Sequence, residues 1–145
     1  MDSKEIDELI GGVQKVIGWY SSSDFGHGDI DYLIKAKRKL VGYSFRFSEL
    51  VGYALEVYNE TYSHRKTEFA NKKLKHIESG DSAAKAELKA EFIISQLRQE
   101  EGETEAFYRK VKSYFDTMRD AITSITQDIS ILRKEYEDTR VHNNG

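Results

Sequence analysis

Five cations fall close together in a chain of 145 residues: Lys35, Lys37, Arg38, Lys39 and Arg46. Positions 35, 38, 39, 42 and 46 share one face of a helix, with Gly42 in the middle and Tyr43 beside it. A basic face with a glycine for close approach and a tyrosine for stacking suits a phosphate backbone and its bases. Lys35, Arg38, Lys39, Tyr43 and Arg46 are therefore the candidate nucleic-acid contacts. A structural reading competes with this and is weighted first. In it, the same residues form a solvated face opposite an apolar stripe, or pair with the acidic N-terminal segment. That segment, residues 1–34, sets Lys4 and Lys15 against seven acids, so the sign of the charge reverses at Lys35.

Other polar groupings carry less chemistry. His64, Arg65, Lys66, Lys72, Lys73, Lys75 and His76 face, across an expected hairpin, Glu87, Glu91, Glu100, Glu101, Glu103 and Glu105. Opposite-sign blocks on antiparallel helices read first as register devices. Glu60 with His64, and His76 with Glu78, miss the Glu-x-x-His spacing of a helical di-metal site. His27, beside Asp24 and Asp29, reads as a solvated loop residue, so no metal and no cofactor are expected. Gly26-His27-Gly28 lacks the third glycine of a dinucleotide fingerprint, and no phosphate-loop or nucleophile-elbow motif occurs. The absence of Cys removes disulfides, thiolate metal sites and cysteine nucleophiles. A net charge of −3 gives no whole-chain attraction to polyanions or anionic lipid.

The elements that must position these residues are helices. There is no Pro anywhere, so nothing forbids very long ones. Ile6, Leu9, Ile10, Val13, Val16, Ile17 and Tyr20 repeat at helical spacing and predict a first helix over 2–20, capped by Asp2 with Glu5. Residues 21–28 read as a loop. A second helix is predicted over 29–78, capped by Asp29 or Asp31, with Gly80 at its C-terminal cap in the turn 79–81. A third is predicted over 82–139, with Glu101-Gly102-Glu103 as the candidate kink and 140–145 as a tail. Val111, Phe115, Met118, Ile122, Ile125, Ile129, Leu132 and Tyr136 space as a heptad seam in that helix, extended weakly upstream by Leu88, Phe92 and Ser95.

So short a connection makes the second and third helices antiparallel neighbours, pairing residues whose numbers sum to roughly 160. Phe47 then lies near Ser113, and Tyr58 near Gly102. The expected fold is a single all-α domain: a long antiparallel, coiled-coil-like helical hairpin with a short N-terminal helix packed on its base. The tip, about residues 59–101, has a thin seam and is marginal alone, which predicts self-association, most simply a dimer. Trp19, Tyr20, Phe47, Tyr58, Phe115 and Tyr136 are the candidate partner contacts. The N-terminal residues lack a secretory leader pattern, and no stretch is apolar enough to cross a membrane, so a cytoplasmic protein is expected.

The stretches Phe107-Tyr108-Arg109-Lys110-Val111-Lys112, Asp120-Ala121-Ile122-Thr123-Ser124-Ile125 and Ile129-Ser130-Ile131-Leu132-Arg133-Lys134-Glu135-Tyr136-Glu137 resemble small coiled-coil proteins of tailed bacteriophages. Those proteins are typically encoded near DNA replication and recombination functions. The resemblance implies an all-helical accessory protein in a bacterial or phage-infected cytosol, and it carries over no catalytic residue. The leading expectation is a non-enzymatic interaction protein that binds a protein partner or itself through coiled-coil seams. The alternative is a nucleic-acid-binding accessory factor using the basic helix face.

Overall fold

A computed structural model describes residues 3–22 and 29–143. Every element among them is helical: α1 (Ser3–Tyr20), α2 (Ile30–Glu78), α3 (Ala83–Ile93) and α4 (Ser95–Asn143). Asp2, expected to cap the first helix, and Asp24, Phe25 and His27 of the expected loop lie outside the described residues.

The helix ends follow from local chemistry. Ser21 and Ser22 donate their hydroxyls back to the carbonyls of Ile17 and Trp19, closing α1. Asp29 caps α2, its Oδ1 accepting the Asp31 amide at 3.1 Å. The far end of α2 closes in a Schellman motif: Gly80 N–H donates to Ile77 O at 3.0 Å and Asp81 N–H to His76 O at 3.1 Å. Gly80 sits at φ 99°, a left-handed conformation that costs a residue without Cβ almost nothing. Ser82 then caps α3, accepting the Lys85 amide.

The third predicted helix is divided, and the break falls elsewhere than expected. Ile94 separates α3 from α4, whereas α4 passes through Gly102 unbroken and continues to Asn143. At Ile94 the backbone relaxes to φ −91° and ψ 9° while its amide still reaches Ala90 O. Its side chain is fully buried, and no glycine lies at the interruption.

The contacts cluster in two units. Unit 1, Met1–Leu50 with Ser113–Gly145, is a helical bundle in which α1 runs antiparallel to α2 and parallel to α4. Leu9, Ile10 and Val13 of α1, Leu33, Ala36, Leu40, Phe47 and Leu50 of α2, and Met118, Ala121, Ile125 and Ile129 of α4 form its core. The buried positions of α2 recur at heptad spacing, as an antiparallel seam requires. In α4 the inward residues include Tyr114 and Ala121, not only the expected Phe115 and Ile122. With two neighbouring helices to cover, the buried arc of α4 is wider than a coiled-coil stripe.

Unit 2, Val51–Lys112, is built on small and polar contacts. Its buried apolar residues are Ala54, Ala86, Ala90, Ile94 and Val111. Thr61 and Thr104 share a hydrogen bond of 2.7 Å, and Tyr58 stacks on Tyr108 with ring centroids 6.3 Å apart. Arg65 pairs with Glu101 and Lys73 with Glu87 at 3.0 Å, two of the cross-helix pairs expected from the charge blocks. The Glu101 carboxylate raises the Arg65 guanidinium above its ordinary value, so that cation persists at all working pH. Asp81 takes Lys89 at 2.6 Å and Lys85 at 3.1 Å, and these two ammonium groups hold its carboxyl below the usual range.

The expected upstream seam of Leu88, Phe92 and Ser95 is corrected by this packing. Those three residues are exposed, and Ala86, Ala90 and Ile94 take the inward positions. Alanines let neighbouring helices approach closely, and they bury well while contributing little to a hydrophobicity pattern.

Candidate functional site

The basic face lies entirely within unit 1, where α2 meets α1 on one side and α4 on the other. Trp19 ends α1 next to the start of α2, and its ring packs against Tyr32 with centroids 6.3 Å apart and planes tilted by 43°. Lys35 lies one turn further along α2, its Nζ 5.5 Å from the Tyr32 ring centroid. These residues, with Lys15, Val16, Ala36, Arg38 and Lys39, line an open groove of about 540 Å³ between α1 and α2. Val16 and Ala36 make an apolar floor, the two rings a wall, and the four cations a rim.

A second groove of about 470 Å³ opens between α2 and α4, lined by Ile34, Lys37, Arg38, Val41, Thr126, Ile129, Ser130 and Arg133. It holds cations and hydroxyls but no aromatic ring. Arg38 lines both grooves and is exposed between them. Neither groove is lined by a carboxylate. The salt bridges found among the described residues involve other cations than these six. The two depressions thus carry six cations and no lining carboxylate, a local positive charge within a chain whose net charge is −3.

The structure brings some of the expected residues together and separates others. Lys35, Arg38 and Lys39 line the first groove. Arg46, though exposed, lines neither groove. Tyr43 is not available for stacking: its ring is half-buried against α1, lying where a Cβ on Gly12 would stand. The absent side chain of Gly12 makes the space that the ring fills. Lys15, Lys37, Tyr32 and Arg133 were not among the expected contacts. Tyr32 and Lys37 share α2 with Arg38 but lie outside the chosen set. Lys15 and Arg133 are distant in sequence and reach its side only because α1 and α4 pack there.

The expected partner contacts divide as well. Phe47 is fully buried, with its ring centroid 6.3 Å from that of Tyr114, so it faces the core rather than a partner. Tyr20 is half-buried; its hydroxyl donates to Asp128 Oδ2 at 2.5 Å and shares a 2.8 Å hydrogen bond with Ser124. Burial, together with the Asp128 carboxylate, pushes that phenol above its ordinary value. Tyr58 is half-buried on Tyr108, and Phe115 is half-buried. Trp19 and Tyr136 are exposed. Among the described residues no group of three His, Asp or Glu side chains is placed to hold a metal ion, and no helix is long and apolar enough to cross a membrane. Comparison with protein-family models, with curated proteins and with solved structures gives no match.

Proposed function

We propose that the chain is a non-enzymatic binding protein that holds a nucleic-acid strand on the basic end of unit 1. The observation that carries this reading is Arg38, which joins Lys15, Lys35 and Lys39 in one groove to Lys37 and Arg133 in the other. Phosphates spaced along a strand match a run of separated cations, and each neutralised phosphate releases counterions to solvent. The likeness of residues 107–137 to phage proteins encoded near replication and recombination functions fits DNA-handling surroundings, while the cations at 35–39 lie outside that stretch.

Binding measured against salt tests it. If all six cations engage a single strand, log Kd changes with log salt at a slope of magnitude about 4, from roughly 0.7 per contact. Arg38→Gln is expected to reduce that slope by about 1 and to weaken binding about tenfold at low salt. An unmodified protein that binds neither single strands nor duplex at about 50 mM salt defeats the reading.

A second reading, association with another copy, is favoured by a specific feature of unit 2. Leu88 and Phe92, one turn apart on α3, are 74% and 84% exposed. Two large apolar side chains side by side on an outward helix face are what a partner helix covers. Light scattering at high concentration should give twice the chain mass, and the pair of changes Leu88→Ser and Phe92→Ser should return it to the single-chain value. A single-chain mass for the unmodified protein counts against this second reading.

A further inference from the structure

Resting on the nucleic-acid reading, we infer that the groove between α1 and α2 receives an unpaired base against Trp19 and Tyr32, so that the face prefers single strands to duplex. The two grooves differ in what they can recognise. The one between α2 and α4 has cations and hydroxyls, which suit phosphate and sugar alone. The one between α1 and α2 adds an apolar floor, Val16 and Ala36, and two aromatic rings, Trp19 38% and Tyr32 58% exposed. Its volume of about 540 Å³ falls within the range of small-molecule sites and accommodates a base with its sugar.

Ring geometry decides how a base fits. With centroids 6.3 Å apart and planes at 43°, Trp19 and Tyr32 cannot sandwich a base between them, but they present a continuous aromatic wall to one laid in the groove. A base there has Lys15, Lys35, Arg38 and Lys39 around it to meet its flanking phosphates. Lys35 already lies over the Tyr32 ring, so one ammonium serves both the wall and the rim. Every base has a π-face, so the groove does not select sequence. A duplex keeps its bases stacked inside and offers none to the wall.

Trp19 is the only tryptophan in the chain, so its fluorescence reports on this groove alone. The test titrates the full chain, at one fixed salt concentration, with oligo(dT) of about 15 nucleotides, a blunt duplex of equal length and inorganic polyphosphate. Oligo(dT) is expected to quench Trp19 and to bind about tenfold tighter than either of the others. Tyr32→Ala is expected to bring the ratio of oligo(dT) to polyphosphate affinity close to one, and Trp19→Ala, followed by anisotropy of a labelled strand, should do the same. Equal affinity for strand, duplex and polyphosphate, or an undiminished ratio in Tyr32→Ala, overturns the base-binding inference and leaves the anion-binding face standing. Failure to bind any of the three anions overturns the face itself, and with it this inference.

Discussion

Replacing Phe47 by Ala is expected to lower the free energy of unfolding by about 3–5 kcal/mol, read as a fall in the urea midpoint at unchanged slope. The Phe47 side chain is wholly buried in the core of unit 1, its ring beside that of Tyr114. Deleting it removes transfer free energy and leaves a cavity among helices that relax only partly. Domains of this size are stable by roughly 5–15 kcal/mol, so the loss is a large fraction of the whole. Phe45, two residues earlier, is 71% exposed, and Phe45→Ala is expected to move stability by no more than about 0.5 kcal/mol. Similar losses at the two positions would contradict the packing of α2, because two phenylalanines on different faces of the helix would then be equally buried.

Gly12 and Gly11 provide the second large contrast, and here the sign itself reverses. In an exposed helix, Gly→Ala stabilises by about 1 kcal/mol because it removes backbone freedom from the unfolded chain. Gly11 has open space around the position of a new Cβ, so Gly11→Ala is expected to show that gain. At Gly12 a Cβ would stand 2.3 Å from the Tyr43 hydroxyl oxygen and 2.7 Å from the ring carbon that bears it. The hydroxyl end of the ring must then shift from its seat against α1. Overpacking of this kind costs about 1–3 kcal/mol, which outweighs the helical gain and makes Gly12→Ala a net loss. Thermal unfolding of the single variants checks the opposite signs. In a Tyr43→Ala background the obstacle is gone, and Gly12→Ala should become stabilising. Persistence of the loss there would show that Tyr43 is not its cause.

The same two residues mark how far sequence reasoning reached. Gly12 is legible as a weakness in a helix, and Tyr43 as an aromatic on a basic face; their mutual fit is not, because they belong to different helices. The hairpin itself was readable. Freedom from proline, Gly80 followed by capping residues, and heptad spacing placed Phe47 near Ser113, and its ring lies against the adjacent Tyr114. The α3 seam was misread because Leu88 and Phe92 dominate a hydrophobic pattern while Ala86 and Ala90 do the burying. The break at Ile94 was misplaced at Gly102 because glycine is the local signal for an interruption and the residues around Ile94 carry none.

For the functional surface the division is similar. Lys35, Arg38 and Lys39 stood out by type and spacing, since residues on one helical turn are neighbours whatever the rest of the chain does. Lys15, Trp19 and Arg133 joined them only when α1 and α4 packed beside α2. What the chain of residues determined alone was mostly local: which segments are helical, where the turn at Gly80 falls, and that so short a turn makes the helices on either side antiparallel. Which face of each helix turns inward was decided by tertiary structure. That choice depends on side-chain volumes meeting across helices, a quantity that no single stretch of sequence contains.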